Sequence, residues 1–97
     1  MSEEKISSFC AAIRSRSEII WLTHGSRQIV YPHALFRREG SGVLAVTVVY
    51  AGSGILAYVS MSEIEEIALT GRTFDPDPRF DPKNRRYRNA LCVIECR

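Results

Sequence analysis

The feature that most constrains the fold is a series of short runs rich in β-branched and aromatic residues, separated by glycine-containing turns. The runs are EIIWLTH (18–24), RQIVYPHALFRRE (27–39), VLAVTVVY (43–50), ILAYVSM (55–61) and IEEIALT (64–70). Runs of this length and composition are typical of β-strands, and glycine permits the tight reversals between them. The pattern predicts five strands, with consecutive strands paired as antiparallel hairpins.

A helix precedes the strands. The apolar residues that recur at the helical spacing i, i+3, i+4 and i+7 are Ile6, Phe9, Cys10 and Ile13. This spacing gathers apolar side chains on one face of a helix. It predicts one amphipathic helix from about Glu3 to Ser15, within an N-terminal segment of residues 1–16.

Two local signals shape the predicted sheet. Pro32 cannot donate a hydrogen bond to a central ladder, so the second strand is expected to bend or bulge there and curl the sheet. Ser62 stands three residues before Glu65, the spacing of a capping box, which predicts one helical turn before the fifth strand. The chain is therefore predicted to be mainly β with an N-terminal helix (α+β), and residues 18–74 to form a small five-stranded antiparallel barrel.

Residues 75–97 form a C-terminal arm in this prediction. Pro76, Pro78 and Pro82 lie among aspartates and arginines, a composition that disfavours regular structure and predicts an extended course over the surface. The apolar run ALCVIEC (90–96) fits either a further strand or a short helix, because seven residues do not distinguish the two periods.

The length and composition indicate one domain covering residues 1–97, with no room for a second core. No apolar run approaches the roughly 20 residues that span a bilayer, and the N-terminus lacks the pattern of a signal peptide. Three cysteines, one in the helix and two near the C-terminus, do not suggest a disulfide framework. We therefore expect a cytoplasmic protein with no membrane partner.

Two segments resemble the WYL domains of bacterial regulators. GSRQIVYPHALF (25–36) is similar to the family signature of a glycine turn followed by an arginine, a hydrophobic residue, a proline and a leucine, and MSEIEEIALTGRTF (61–74) is similar to its closing segment. The matching residues are Arg27, Val30, Pro32, Leu35, Ile64, Leu69 and Phe74. The resemblance covers approximately residues 9–80.

The resemblance implies an Sm-like or SH3-like barrel, commonly attached to a helix-turn-helix domain and thought to sense nucleotides or nucleic-acid fragments. The chain then corresponds to the sensor half, as a free-standing accessory subunit or a piece of a larger regulator. It departs from the family pattern at Val43–Leu44–Ala45, where the naming triplet loses both aromatic residues. It also departs at Ala57 and Glu63, which stand where family members often carry arginines.

The candidate ligand-binding residues centre on Arg27, whose guanidinium can give two parallel hydrogen bonds to a phosphate or carboxylate. The alternative is a solvated arginine at the end of a strand, or one paired with Glu18. The further candidates are His24, His33, Arg37, Arg38 and Tyr58. Arg37 and Arg38 are adjacent on a strand and point to opposite faces, so at most one is expected to share a surface with Arg27. The strand aromatics either stack on bases or pack in the core.

The net positive charge lies toward the C-terminus. Residues 1–71 hold six basic and seven acidic side chains, whereas residues 72–97 hold seven basic and four acidic ones. Arg85, Arg86 and Arg88 alternate with aromatic residues in a pattern that suits contact with a nucleic-acid backbone. A solvated arm, or an arm that clamps a second copy, explains the same residues.

The sequence offers no catalytic or metal-binding motif. His24, His33, Cys92 and Cys96 lack the paired spacings of a zinc site, and Gly52-Ser53-Gly54 lies between strands and not before a helix. We expect no enzyme activity, no metal and no cofactor.

Two hypotheses follow. The first is a regulatory module that binds an anionic ligand, a nucleotide or single-stranded RNA or DNA, and thereby alters association with a regulator or effector protein. The second is a structural module that forms a homodimer or docks on a partner through a sheet edge and the C-terminal arm, since open edges readily pair. Loss of the family arginines at positions 57 and 63 favours the second hypothesis.

Overall fold

A computed structural model describes residues 3–94 of the 97-residue chain. The elements are α1 (Glu3–Arg14), β1 (Ser17–Thr23), β2 (Ser26–Arg37), β3 (Leu44–Tyr50), β4 (Leu56–Ser60), the 3₁₀ helix η1 (Met61–Glu63), β5 (Ile64–Thr73), the 3₁₀ helix η2 (Arg85–Tyr87) and β6 (Cys92–Val93). The helix and the five predicted strands are confirmed, with bounds that differ from the prediction by one to three residues at most ends.

The strands form one antiparallel sheet in the order β4-β3-β2-β1-β5. Consecutive strands pair as hairpins, except that β5 returns to the far side of β1, where Trp21 lies opposite Ile67. Within residues 3–94, β4 and β5 do not pair with each other and form the two edges of this path. Closure into a barrel is therefore not confirmed.

The predicted irregularity in β2 occurs where Pro32 indicated. The register with β3 shifts between Pro32 and Ala34, so His33 is an extra residue in the ladder. A bulge bends a strand and lets its far half turn away from its near half. Beyond the bulge, Ala34 and Leu35 pair with β3 on one side and with β6 on the other.

α1 closes the core on one face of the sheet. Phe9 and Ile13 are fully buried and pack with Ile19, Trp21 and Val46. The predicted helical turn before β5 is present as η1, but the capping box is wrong. No side chain caps η1, and Glu65 belongs to β5.

The C-terminal segment is not the surface arm that its prolines predicted. Phe80, Tyr87 and Ile94 are buried in the core, and Cys92–Val93 forms the additional strand β6 beside Ala34 and Leu35. The apolar residues spaced along the segment explain the difference, because burying them outweighs the irregular backbone that prolines impose. Residues 95–97, including Cys96 of the predicted run, lie outside the described residues.

The return of this segment also corrects the prediction about cysteines. Cys10 on α1 and Cys92 on β6 form a disulfide across a separation of 82 residues, with Cα atoms 5.6 Å apart. The sequence spacing gave no sign of this bond because only the fold brings the two ends of the chain together. No helix between residues 3 and 94 has the length and apolar character needed to cross a bilayer.

Candidate functional site

The structure brings four of the predicted site residues to one surface. Arg38, Tyr58, Arg85 and Arg86 come from three separate parts of the chain and meet beside the β4 edge of the sheet. We call this group the cationic cleft. An open cavity of about 590 Å³ is lined by three of them and by Phe36, Glu39, Ser41 and Asn84, and Tyr58 lies beside it under Arg86.

Arg38 is positioned by the turn that follows β2. Its backbone N–H donates to the carbonyl of Val43 (2.9 Å), and Gly42 N–H donates back to the Arg38 carbonyl (2.9 Å). Gly42 has a φ of +71°, a left-handed conformation that glycine adopts without strain. The Arg38 guanidinium then crosses to β4 and donates to the Tyr58 carbonyl (3.1 Å), which fixes its direction.

Tyr58 supplies an aromatic face. Its side chain lies on β4 opposite Thr47, is 39% exposed, and meets the ring of Phe36 edge-on at 6.2 Å between centroids. The guanidinium carbon of Arg86 lies 4.3 Å from the centre of the Tyr58 ring. At this distance the cation is attracted by the negative face of the ring. The Arg86 Nε–H also donates to Asn84 Oδ1 at 3.4 Å, which leaves the Nη groups to meet an anion.

The arginines of η2 stand on a buried support. Tyr87 packs against Phe36 and Phe80, with ring centroids 5.3 and 5.0 Å away, and its hydroxyl shares a hydrogen bond of 2.8 Å with Thr47 in the interior. Burial raises the pKa of the Tyr87 phenol, and the bond from Thr47 partly offsets that effect. Asn84 caps the turn by accepting from Arg86 N–H at 3.1 Å. These contacts hold Arg85 and Arg86 at the surface.

The cleft keeps an excess of positive charge. Its three arginines face one acid, Glu39, whose Oε1 lies 3.7 Å from Nη2 of Arg85. Both side chains of that pair are highly exposed, at 80% and 74%, so water weakens the attraction. Arg85 can therefore exchange Glu39 for another anion.

Arg27, the centre of the predicted site, lies elsewhere. It is exposed at the start of β2, opposite Leu22, whereas Arg38 follows the other end of the same strand. The cavity beside it is lined by one further cation, Lys5, and by three acids, Glu4, Glu65 and Glu66, whose excess charge opposes an anionic ligand. Glu18, the predicted alternative partner, is buried and accepts a hydrogen bond from the Thr70 hydroxyl (2.8 Å).

The remaining predicted residues are dispersed. Arg37 is exposed and donates to the Gly42 carbonyl (3.3 Å). His24 occupies the β1–β2 turn, 3.2 Å from Glu63. Arg88 is exposed at the end of η2 and does not line the cavity. Arg37, His24 and Arg88 therefore lie outside the cationic cleft.

His33 is placed in the core and not at a ligand surface. It is fully buried, its Nδ1 lies 2.8 Å from the Tyr31 carbonyl, and its Nε2 accepts from the backbone N–H of Asp77 at 3.0 Å. Burial lowers the pKa of His33, against weaker opposing effects of the Tyr31 carbonyl and the Asp77 charge. Both ring nitrogens are occupied, so the predicted ligand contact does not fit this position.

Sequence reasoning missed Glu39 and Asn84. Asn84 carries a recognisable signal, since an asparagine before a short turn is a common cap. The signal was missed because the prolines predicted an extended segment with no helical turn. Between residues 3 and 94, no three His, Cys, Asp or Glu side chains cluster in a way that would hold a metal ion.

Comparison with known proteins gives one informative structural match. No protein-family model matches the sequence, and no curated protein matches it either. Among solved structures, the chain is similar to proteasome accessory factor B/C (PafBC) of Arthrobacter aurescens, with a TM-score of 0.68 and 17% sequence identity. The match covers 82% of this chain and 14% of that one, so this chain spans a small part of the PafBC length.

At this level of identity the similarity shows a shared fold. It supports a WYL-like fold for this chain, in agreement with the segments around Pro32 and Phe74 that resemble WYL domains. A proposal about function has to be based on the residues of the cationic cleft.

Proposed function

We propose that this chain is a non-catalytic regulatory module that binds a negatively charged ligand, a nucleotide or single-stranded nucleic acid, in the cationic cleft. The observation that carries the proposal is that Arg38, Arg85 and Arg86 line one cavity, with Arg86 held over the ring of the neighbouring Tyr58. The WYL-like fold fits a regulatory sensing role. Ligand binding would alter association with a regulator or effector protein.

The chemistry of the cleft suits a ligand that combines phosphate with a base. Guanidinium groups bind phosphate oxygens through two parallel hydrogen bonds, and Arg38 and Arg85 line the cavity. A base can stack on the ring of Tyr58 or on the guanidinium plane of Arg86, since either offers a flat face. Inorganic phosphate would use only the first of these interactions.

The proposal moves the binding surface away from Arg27. Phosphate attraction depends on the sum of nearby charges. The cavity beside Arg27 is lined by two cations, Lys5 and Arg27, and three acids, Glu4, Glu65 and Glu66, whereas the cleft has one acid for three arginines. Arg27 therefore serves as a control: it is an exposed arginine at the start of β2, and Arg27→Gln removes one positive charge, half of what the double variant below removes.

The experiment is a fluorescence-polarisation titration of labelled single-stranded DNA and RNA oligonucleotides at low and moderate salt. We expect binding that weakens as salt rises, and a double variant Arg38→Gln/Arg86→Gln that binds about tenfold or more weakly. The logarithmic slope of affinity against salt should become shallower by roughly 0.7 for each phosphate that the variant no longer neutralises. Arg27→Gln should bind like the wild type apart from a small effect of net charge.

Equal binding by the wild type and the double variant would refute the cleft as the site. Loss of binding in Arg27→Gln alone would indicate that the binding site lies at the start of β2. Competition by a mononucleotide, compared with competition by inorganic phosphate, then measures the contribution of the base.

A further inference from the structure

The cationic cleft contains one acidic side chain, Glu39, which the proposed phosphate contacts do not use. Glu39 lines the same cavity as Arg38, Arg85 and Arg86. A carboxylate repels phosphate, so Glu39 weakens the attraction of the cleft for a ligand that consists of phosphate alone. It suits a ligand that offers hydrogen-bond donors as well as phosphate.

The acceptor groups of Glu39 are unused by the part of the chain that the structure describes. Its Oε1 lies 3.7 Å from Nη2 of Arg85, which is an ion-pair distance and too long for a hydrogen bond. No hydrogen bond from residues 3–94 reaches either carboxylate oxygen. An ionised carboxylate has two acceptor oxygens side by side and no donor. Glu39 can therefore accept two neighbouring N–H groups of a ligand.

Arg85 places unused donors beside this carboxylate. Within residues 3–94 its guanidinium donates no hydrogen bond, and the side chain is exposed. The other two arginines of the cleft differ in this respect, since Arg38 donates to the Tyr58 carbonyl and Arg86 Nε–H donates to Asn84. The pair of Arg85 and the carboxylate thus presents free donors and free acceptors to one edge of a ligand.

Among the common bases, guanine complements this pair most completely. Its N1–H and N2–H groups are adjacent donors that suit the two oxygens of one carboxylate, and its O6 and N7 are adjacent acceptors that suit an arginine. Adenine and cytosine offer a carboxylate one amino group, and thymine and uracil offer one imide N–H between two carbonyls. Guanine is the common base that places donors on two adjacent atoms of the same edge.

We propose that Glu39 is a specificity-determining residue of the cationic cleft and selects a guanine base. This inference rests on the proposed function, to which it adds the identity of the base. The Glu39 carboxylate accepts from N1–H and N2–H of guanine, and Arg85 donates to O6. Arg38 and Arg86 then remain for the phosphate.

Glu39 also acts against the other bases. When adenine, cytosine or thymine donates one N–H to the carboxylate, the neighbouring position on the base is a ring nitrogen or carbonyl with lone pairs, which repel the second oxygen. Discrimination of this kind combines a contact that the correct ligand makes with a repulsion that the wrong ligand meets.

The test is a fluorescence-polarisation titration of the full chain with labelled oligothymidines of one length that carry a single central guanine, adenine, cytosine or hypoxanthine. The guanine oligonucleotide should bind about tenfold more tightly than unsubstituted oligothymidine, within the range for one bidentate contact to a base. The adenine and cytosine oligonucleotides should bind close to the unsubstituted one. Hypoxanthine has N1–H but lacks the N2 amino group, so it should lose most of the gain.

Glu39→Gln should abolish the preference for guanine, because an amide has one acceptor oxygen and an amino group that opposes the second N–H donor. Glu66→Gln removes the same charge from an exposed position on β5 outside the cleft, and it should keep the preference. The readout is the ratio of the affinities for the guanine and unsubstituted oligonucleotides, because this ratio cancels the general effect of net charge. Circular dichroism establishes that each variant is folded.

Equal affinities of the wild type for the guanine and unsubstituted oligonucleotides would overturn the inference and leave the proposed function standing. A preference for guanine that survives Glu39→Gln, or a hypoxanthine oligonucleotide that binds as tightly as the guanine one, would also overturn it. If none of the oligonucleotides binds, the proposed function fails and the inference fails with it.

Discussion

The backbone N–H of Asp77 donates a hydrogen bond to Nε2 of His33, 3.0 Å away, in the interior of the protein. Because Nε2 accepts, the proton of the neutral ring resides on Nδ1, where it is donated to the Tyr31 carbonyl. The ring lies between those of Phe74 and Phe80, each 5.2 Å away between centroids. The bulge in β2 thus holds the segment that leads from β5 to the arginines of η2.

This arrangement predicts a stability that falls in mild acid. Burial lowers the pKa of His33 below its ordinary value of 6.5, so the unfolded chain takes up a proton at this residue more readily than the folded chain does. Stability is therefore complete above pH 6.5 and is lost as the pH falls from there towards the lower pKa of the folded state.

Urea unfolding at pH values between 7.5 and 5 measures the effect, because this window extends roughly one unit or more on each side of the ordinary histidine pKa of 6.5. His33→Gln should remove most of the decline in this window, whereas His24→Gln, which alters an exposed turn, should retain it. The Asp77 carboxyl does not interfere, because its hydrogen bond from Arg79 holds its pKa at about 2. A His33→Gln variant with an undiminished decline would show that another group is responsible.

The disulfide between Cys10 and Cys92 should contribute strongly to stability. It closes a loop across 82 residues, and the chain-entropy relation predicts about 4.5 kcal/mol for a loop of that size. Reduction by a phosphine should lower the free energy of unfolding by an amount of this order. Cys10→Ser should already be destabilised and should no longer respond to the reductant, and Cys96→Ser should respond like the wild type. An equal response in Cys10→Ser would contradict the pairing.

The buried bond between Tyr87 and Thr47 should be needed to support η2. Tyr87→Phe leaves the Thr47 hydroxyl without a partner at a fully buried position, at a cost of about 1–3 kcal/mol. The double variant Tyr87→Phe/Thr47→Val should be less destabilised than the sum of the two single changes, as a thermal or urea double-mutant cycle would measure. Strict additivity would mean that the two hydroxyls do not interact.

The ring of Tyr58 should contribute to ligand binding through its face and not its hydroxyl. Tyr58→Leu is expected to weaken oligonucleotide binding about tenfold, within the range for one stacked base. Tyr58→Phe should bind nearly as well as the wild type, because it keeps the ring beneath Arg86. Equal losses in the two variants would assign the effect to the hydroxyl instead. Polarisation with the same labelled oligonucleotide measures both.

Local sequence signals predicted the helix and the strands. Apolar residues at helical spacing specified α1, β-branched runs with glycine turns specified β1–β5, and the missing N–H of Pro32 located the bulge. These features follow from interactions between residues close in the chain, which a single sequence exposes.

The C-terminal segment and the cleft depend on contacts between distant residues. Tyr87 and Thr47 are 40 residues apart, and nothing local to either indicates their bond. Arg38 and Arg86 were each predicted as candidates. They are far apart in the chain, so the sequence did not indicate that they line the same cavity. The sequence also does not show that β5 brings Glu65 and Glu66 beside Arg27, whose role in binding stays a prediction.

The most direct test of the proposed ligand site is the perturbation of backbone amide signals in a two-dimensional NMR spectrum of labelled protein during titration with a short single-stranded oligonucleotide. We predict that the shifts concentrate at Arg38, Tyr58 and residues 84–86, while the amides near Arg27 and along β5 stay in place. Shifts confined to the start of β2 and to Glu65 and Glu66, with none in the cleft, would contradict the proposed site.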